Sequence, residues 1–279
     1  MYTLTTAKTE SEIRELADCW RSWESEGTEK WPHNFLVWNE SYRKHLSEEG
    51  GSFFYVVIKV HGEVSHVIPV VETRLSLLGV SLKALSLPFH DHSQFSGITS
   101  VSRVSDLTSV DMLTLLTELL VGYDCFYAPA VQKKSLISES ALLRRLGACV
   151  GDRAGCDYLD LTQRRSSEDC ISKNFRNNLR KASKKFAITQ DIEIETSKDK
   201  GKLPSLYQEF LRVESSGWKG GGGTATAIAL NSELVAFYEE LVNSSGQGYY
   251  CEISIIRQSG NPISGQLHIL AHSDHSFWF

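Results

Sequence analysis

The first half of the chain alternates apolar and polar positions in a pattern that predicts two helices followed by three strands. Helices are expected over Ser11–Glu24 and Phe35–Leu46, where apolar residues recur every three or four positions. Strands are expected in three runs rich in β-branched residues: Phe53–Val60, Val64–Thr73 and Ser81–Leu87. Pro69 has no N–H group to give to a ladder, so we expect its strand to lie at a sheet edge or at a bulge.

A polar loop, Ser86–Gly97 (SLPFHDHSQFSG), separates these strands from the end of the first half. The pattern then predicts a helix over Asp111–Val121, a strand over Tyr123–Ala128 and a short helical piece over Ala141–Leu146. Together these elements predict an α/β unit of about 150 residues with a meandering sheet.

The pattern restarts after Gly151–Gly155 with a predicted strand over Cys156–Leu161. A long helix is expected from Ser166 or Ser167 to Phe186. Its apolar positions predict a buried stripe: Ile171, Phe175, Leu179, Ala182 and Phe186. A strand is expected next over Gln190–Thr196, followed by a helix over Leu203–Glu214 and the loop Ser215–Thr226. A second helix is expected from Asn231 or Ser232 to Val242. The chain then predicts a hairpin of Gly248–Arg257 and Pro262–His272, and a last strand that begins in His275–Phe279.

This order of elements predicts an α/β (α+β) protein of two lobes, residues 1–154 and 155–279. We expect each lobe to contain a mixed, largely antiparallel sheet flanked by helices.

Charge and composition exclude several classes of protein. The formal net charge is −5 over 279 residues, which argues against a general DNA-binding protein, because affinity for nucleic acid depends on neutralising phosphates. The start of the chain has no signal-peptide pattern, and no apolar run is long enough to span a membrane, so we expect a cytoplasmic protein. The six cysteines are scattered without metal-ligand spacing, so we expect no metal.

Two segments carry a resemblance to a known family. Ile171–Phe186 (ISKNFRNNLRKASKKF) is similar to a basic helix, and Phe210–Ala227 (FLRVESSGWKGGGGTATA) is similar to a Gly-Trp-Lys-Gly segment. Tyr249–Leu270 matches as a hairpin with a polar turn, and Tyr55–Val71 leading to His90–Gly97 matches more faintly. On these motifs the chain resembles the acyl-CoA N-acyltransferases of the CelD/BcsL-like, FemAB-related group.

The resemblance implies two lobes of the GNAT acyltransferase fold and transfer of an acyl group, usually acetyl from acetyl-CoA, to an amine. Members of the wider group transfer amino acids from aminoacyl-tRNA to peptidoglycan precursors. Against that fold, the second lobe is expected to be incomplete: it reaches only the start of its fourth strand at Phe279, before the loop that would hold the acyl-CoA pyrophosphate. We therefore hypothesise that the chain is truncated relative to its family.

The basic helix supplies the predicted cofactor-binding residues, Arg176, Arg180 and Lys181. Its cations fall mostly on the face opposite Phe175 and Leu179, and a guanidinium can bind phosphate through two hydrogen bonds. The anionic partner could be the CoA phosphates, a phosphorylated or lipid-pyrophosphate acceptor, or tRNA. The alternative is an ordinary solvated helix face.

The Gly-rich segment supplies a predicted general base, Glu214, and two substrate-binding residues, Trp218 and Lys219. Amine acylation needs the free amine, and a carboxylate could take the proton from the ammonium. The run Gly220–Gly223 lets backbone approach a ligand closely or lets the loop move as a lid. The alternative is a flexible connection anchored by Trp218.

Other candidates lie in the polar loop and in the last hairpin. His90 and Asp91, beside His92, are predicted to contact substrate or to transfer protons. Gln266 is predicted to bind substrate and His268 to act in catalysis, because alternate residues of a strand share one face. Tyr249 is predicted as a general acid. The alternatives are a hydrogen-bonded loop, an open sheet face and a buried strand tyrosine.

The sequence thus predicts an acetyltransferase that acts on an amine of a sugar or of a cell-envelope or polysaccharide precursor. Two alternatives stay open: a catalytically inactive, truncated relative that acts as a binding module, and tRNA-dependent aminoacyl transfer or RNA binding through the basic helix.

Overall fold

The structure is a computed structural model that describes residues 2–26, 31–47, 52–92, 96–100, 109–131, 147, 151, 172–246, 248–271 and 276–278. The helices are α1 (Glu10–Glu26), α2 (Leu36–His45), α3 (Ser109–Leu119), α4 (Lys173–Ala187), α5 (Leu203–Ser216) and α6 (Ser232–Asn243). The strands are β1 (Tyr2–Ala7), β2 (Phe53–Val60), β3 (Glu63–Leu77), β4 (Val80–Ser86), β5 (Thr99–Ser100), β6 (Cys125–Tyr127), β7 (Ile192–Ser197), β8 (Tyr249–Gln258), β9 (Asn261–Ala271) and β10 (Ser276–Trp278).

The first sheet has the strand order β1-β2-β3-β4-β6, with β5 paired to β3. All pairs are antiparallel except β4 and β6, which are joined by a connection that contains α3 and run parallel. β2 is buried on both faces: Phe53, Tyr55 and Val57 join one core, and the alternate residues join another. A strand covered on both faces needs no polar alternation, which explains the unbroken apolar run that predicts it.

The expectation that Pro69 marks a sheet edge or a bulge is wrong. β3 lies between β2 and β4, and Pro69 itself is paired with Tyr55 of β2. On the other side of β3, pairing with β5 extends to Val67 and pairing with β4 starts at Val71. Pro69 therefore lies between the stretches of β3 that these two strands cover. A residue without an N–H group therefore costs no hydrogen bond there.

β1 is a strand that the sequence does not predict. Residues 2–7 pair antiparallel with β2, and of these residues only Ala7 is buried. An exposed edge strand has no apolar periodicity to reveal it, so the neighbouring strand determines it.

The second sheet is antiparallel, in the order β10-β9-β8-β7. The hairpin of β8 and β9 confirms the prediction, and β10 falls within the predicted last strand. Leu267 and Ile269 face the core that contains α5 and α6, and Gln266 and His268 face the opposite side of the sheet.

One hydrophobic core joins the first sheet and its helices α1 and α2 to the second sheet and its helices α5 and α6. We call these two parts the first and the second lobe. The core contains residues of α1, α2 and β2 together with residues of α5, α6, β8 and β9. Trp38 of α2 meets Phe237 of α6 edge to face, with ring centroids 4.9 Å apart, and Phe35 meets Tyr249 at 5.3 Å. Lys44 and His45 of α2 pair with Glu240 of α6. The lobes are therefore packed against each other through α2 and α6.

The long helix of the second lobe differs from its prediction in two ways. α4 begins at Lys173, and Ser172 caps it by accepting a hydrogen bond from the N–H group of Phe175 at 3.2 Å. No residue of α4 is buried, and Phe175, Leu179 and Phe186 are 52%, 45% and 42% exposed. The predicted buried stripe is therefore wrong: the stripe exists but nothing in the described structure covers it.

Several predictions lie outside the described residues. These are the helical piece Ala141–Leu146, the strand Cys156–Leu161, the caps Ser166 and Ser167, Ile171 and the boundary between residues 154 and 155. The two sheets flanked by helices confirm the predicted mixed α/β class. No helix in the described ranges is long and apolar enough to cross a membrane.

Candidate functional site

A buried carboxylate, Glu214, lies at the C-terminal end of α5, where its side chain is 6% exposed. Its Oε1 lies 3.2 Å from Nζ of Lys219, and its Oε2 accepts a hydrogen bond from the N–H group of Ile228 at 2.9 Å. Glu214 thereby fastens both sides of the loop 217–227 to α5. Protonating it would weaken both bonds, so this geometry does not favour the predicted role as general base.

Of the four glycines in this loop, the two outer ones are closely packed against backbone and the two inner ones have open space beside them. A Cβ at Gly220 would lie 1.8 Å from the carbonyl oxygen of Ser215, and a Cβ at Gly223 would lie 1.9 Å from that of Trp218. Gly221 and Gly222 meet nothing within 4 Å of such an atom. Two of the glycines therefore allow the loop to wind tightly on itself, and only the middle pair is free to lie against a ligand.

The polar loop of the first lobe meets α6 of the second. The hydroxyl of Tyr238 lies 3.0 Å from Nδ1 of His92, and their ring centroids are 5.8 Å apart. The N–H group of His92 donates to Nδ1 of His90 at 3.1 Å, so a neutral His90 carries its proton on Nε2. We call the group of His90, His92, Glu214, Lys219 and Tyr238 the lobe junction.

Burial and neighbouring charges shift the pKa values of several members of the lobe junction. Burial, and then the charges of His90 and Lys219, lower the pKa of His92 to about 4, although Asp91 acts in the opposite direction. Burial also lowers the pKa of His90. The pKa of Tyr238 is raised well above its ordinary value by burial and by its neighbours Tyr207 and Glu214. Near neutral pH the junction therefore holds two neutral imidazoles and a neutral phenol beside one lysine–carboxylate pair.

The structure thus brings together five of the predicted residues from distant parts of the sequence. His90 and Asp91 adjoin His92, while Glu214, Trp218 and Lys219 form the facing side. Trp218 is 70% exposed, and Nζ of Lys219 lies 5.9 Å from the centre of its ring. An indole this exposed beside a cation presents an open aromatic face.

A small cavity lies next to the polar loop. Its walls are His33, Trp38, Asn39, Tyr42, Pro69, Pro88, Ser96 and Gly97. The hydroxyl of Tyr42 donates to the carbonyl oxygen of Phe89 at 3.1 Å, which connects this wall to His90. The cavity offers about 10 Å³ to the centre of a water molecule, which is room for one water and not for an acyl acceptor.

Gln266 and His268 do not join the junction, because the second sheet lies between them and α5. On the outer face, Nδ1 of His268 lies 3.4 Å from Oε1 of Glu252, and Nε2 lies 3.3 Å from Oε1 of Gln266. Both ring nitrogens are therefore engaged within the sheet face. The sequence places these two residues on one face of a strand but cannot tell which face meets the other lobe.

Tyr249 lies in the core shared by the lobes and is 1% exposed. Its hydroxyl donates to the carbonyl oxygen of Leu241, and burial raises its pKa. A buried phenol that donates to a main-chain carbonyl is typical of a packing residue, so this geometry does not favour the predicted role as general acid.

Arg176, Arg180 and Lys181 lie on α4, in which no residue is buried. The structure brings the three cations together on one helix, as the spacing predicts, but not into the junction core. Their role as contacts for CoA phosphates stays a prediction.

The residues missing from the sequence prediction are Tyr207 and Tyr238. Both lie on the buried stripes of α5 and α6, so their spacing resembles that of any core residue. The unusual chemistry of the polar loop is a signal that points to His92, but nothing in the local sequence identifies Tyr238 as the partner of His92. Within the described residues, no cluster of His, Cys, Asp or Glu is suited to hold a metal ion.

Comparison with known proteins gives one family match, over the second part of the chain. Residues 173–279, less than half of the chain, match the family model described as an acetyltransferase (GNAT) domain. The match concerns this stretch alone, and the finer CelD/BcsL-like assignment stays a prediction. No protein of curated function matches the sequence.

Two solved structures are similar to the chain at low identity. FemX is 14% identical with a TM-score of 0.46, and the match covers 91% of this chain and 58% of FemX. A tandem GNAT protein from the clavulanic acid biosynthesis pathway, solved without AcCoA, is 11% identical with a TM-score of 0.39, covering 98% of this chain and 76% of that protein. The chain therefore spans little more than half the length of FemX, and similarity at this level defines no substrate.

The loop after α5 and the start of α6 do not fit the pyrophosphate of an acyl-CoA. The N–H groups of Gly220 and of residues 223–227 donate to carbonyl oxygens within the loop. At the start of α6, the side chain of Asn231 accepts from the N–H groups of Glu233 and Leu234, and Glu233 adds a negative charge. A pyrophosphate needs a row of free N–H donors and no nearby carboxylate. Most N–H groups of the loop are engaged and the start of α6 carries a carboxylate, so neither segment provides such a row.

Proposed function

We propose that the chain is an N-acyltransferase whose lobe junction binds the acceptor amine. The observation that carries this proposal is the contact between His92 and Tyr238, next to the Lys219–Glu214 pair. Tyr238, Lys219 and Glu214 belong to residues 173–279, the stretch that matches an acetyltransferase (GNAT) domain. Polar groups from both lobes converge at the lobe junction, which is the common setting of a small-molecule site.

The junction is suited to hold an uncharged amine. The neutral ring of His90 can donate a hydrogen bond from Nε2, because its Nδ1 accepts from the N–H group of His92. The Nε2 atom of His92 offers a second polar contact, because its Nδ1 meets the hydroxyl of Tyr238. An acyl thioester such as acetyl-CoA would supply the activated acyl carbon. The amine nitrogen would bond to that carbon, the carbon–sulfur bond would break, and the departing thiolate would take up the proton that the nitrogen loses. The donor rests on the family match alone, because the segments described above offer no phosphate cradle.

The exposed indole supports an amino sugar, or an amine of a cell-envelope or polysaccharide precursor, as the acceptor. Trp218 presents an open aromatic face beside Lys219, and such a face can pack on the apolar side of a sugar ring while its edge stays in water. We also propose a cytoplasmic location for the reaction.

The low pKa of His92 predicts how the reaction depends on pH. An imidazole with a pKa of about 4 is a weak acceptor for an ammonium proton, so the amine must arrive already deprotonated. We expect kcat/KM to rise with pH towards the pKa of the acceptor amine, with no break near 6.5, the ordinary pKa of histidine.

The test is release of free thiol from acetyl-CoA by the purified chain, with glucosamine as acceptor and glucose as the matched control without an amine. We expect release only with glucosamine, together with an acetylated product in the mass spectrum. Calorimetric titration with acetyl-CoA separates the alternatives. A folded chain that neither binds acetyl-CoA nor releases thiol would be the inactive binding module, and transfer from aminoacyl-tRNA alone would indicate tRNA-dependent chemistry.

A further inference from the structure

α4 has two chemically distinct faces along its whole length. Phe175, Leu179, Ala182 and Phe186 follow one another at intervals of three and four residues, so they form a single stripe. The cations lie around the opposite side: Lys173, Arg176, Arg180, Lys181, Lys184 and Lys185. Successive helical residues are about 100° apart, which separates the two groups almost completely.

The apolar stripe of α4 is open to solvent. Phe175 and Leu179 are 52% and 45% exposed, and Phe186 is 42% exposed. Ile188, just beyond the helix, is 81% exposed. Three large apolar side chains on one uncovered stripe are unusual on a protein surface and mark a surface that binds something apolar.

The charge of α4 is of one sign. Residues 172–190 contain no Asp or Glu, although the chain as a whole has a formal net charge of −5. The helix is therefore a cationic segment on an acidic protein, and the matching surface must be negatively charged.

We propose that α4 docks on the surface of an anionic lipid bilayer. The helix would lie in the plane of the interface, with its apolar stripe among the upper acyl chains and its lysines at the lipid phosphates. Its 15 residues are about 22 Å long at 1.5 Å per residue, which suits lying on a membrane and is too short for spanning one.

The two faces together favour a membrane over other anionic partners. RNA would satisfy the cations but would leave the aliphatic and aromatic stripe in water. An apolar groove of another protein would cover the stripe but would not need the four lysines on the other side, Lys173, Lys181, Lys184 and Lys185. Only an anionic bilayer offers an apolar layer directly beneath a layer of negative charge. This inference is independent of the proposed acyl transfer.

The experiment is co-sedimentation of the full chain with vesicles of phosphatidylcholine alone or with about a third of phosphatidylserine, a composition rich in negative charge. We expect binding to the anionic vesicles only, weakened as salt is raised from low to physiological strength. Binding to a single-stranded RNA oligonucleotide is measured in parallel.

Two double variants divide the contribution of the two faces. Lys184→Gln with Lys185→Gln should weaken vesicle binding about 25-fold, because one surface cation contributes about a fivefold change in affinity. Phe175→Ser with Leu179→Ser should weaken it by roughly tenfold or more, through lost apolar burial. The matched controls are Lys198→Gln with Lys200→Gln, which removes the same charge elsewhere, and Val121→Ser, which removes an apolar side chain that is 81% exposed.

The proposal requires that both α4 variants keep the melting temperature of the wild type, since the stripe is already exposed. It is overturned by equal binding to both kinds of vesicle, by no binding to either, or by full binding of the Phe175→Ser, Leu179→Ser variant. RNA binding that survives loss of the stripe, without vesicle binding, would also overturn it.

Discussion

α4 and α6 have similar apolar patterns and opposite surroundings. On α6, residues at intervals of three and four are buried: Leu234, Phe237, Tyr238, Leu241 and Val242. On α4, the stripe at the same intervals is exposed to solvent. The difference is supplied by other parts of the chain, because α6 packs on α2 of the first lobe and on the second sheet, and α4 has no comparable partner in the described structure.

The contrast shows what apolar periodicity can and cannot establish. The spacing determines that a helix has an apolar face, because side chains three and four positions apart are neighbours. It carries no information on what covers that face. For α6 the cover is the other lobe, and for α4 we propose that it is a lipid surface.

The largest expected difference in stability is between two truncations, one on α6 and one on α4. Phe237 is fully buried against Trp38, so Phe237→Ala should lower the free energy of unfolding by about 3–5 kcal/mol. Leu179→Ala on α4 should change it by less than about 0.5 kcal/mol. Urea unfolding measures both, and a large loss at Leu179 would mean that its stripe is buried in solution.

The same contrast between packed and open positions recurs in the glycine loop. A methyl group at Gly223 would lie 1.9 Å from the carbonyl oxygen of Trp218, so Gly223→Ala should cost about 1–3 kcal/mol of stability. Gly222→Ala meets nothing and should stay within about 0.5 kcal/mol of the wild type. If the two variants unfold at the same urea concentration, the loop is not wound as described.

The smallest effect concerns the ion pair that joins α2 to α6. Burial raises the pKa of Glu240, but hydrogen bonds from Lys44 and His45 outweigh it, so the pKa lies below its ordinary value of 4.5. The folded state therefore gains stability above that pH and loses it as pH falls through the lowered pKa. Glu240→Gln should cost about 0.5–1 kcal/mol at pH 7.

An acid titration of stability checks this assignment. The difference between wild type and Glu240→Gln should vanish as the carboxylate is protonated below about pH 4. A difference that persists unchanged in acid would show that the substitution acts through packing and not through charge.

Elements with strong local signals are the ones that the sequence predicts well. β2, the β8–β9 hairpin, α5 and α6 match their patterns, because burial of a whole face or of a whole strand imposes the pattern directly. β1 escapes prediction because its partner strand determines it. Pro69 misleads because the gap between two neighbouring strands, which no local rule describes, accommodates it.

The sequence identifies several residues of the candidate site but does not show which of them lie together. The chemistry of His90, Asp91, Trp218 and Lys219 stands out in polar or glycine-rich segments, and the fold brings them to one place. Gln266 and His268 have equally suggestive chemistry but lie on the far side of a sheet. Tyr238 is indistinguishable in sequence from a core residue. Which polar groups meet depends on how the lobes pack, and that packing rests on contacts between distant segments.

The central claim, that the acceptor amine binds at the lobe junction, is tested most directly by one matched pair of substitutions. His92→Gln alters the junction, and His268→Gln makes the same change on the outer face of the second sheet. With thiol release from acetyl-CoA as the measure, we predict that His92→Gln lowers kcat/KM by roughly tenfold or more, while His268→Gln stays within about twofold of the wild type. A large loss for His268→Gln beside normal activity for His92→Gln would contradict the account.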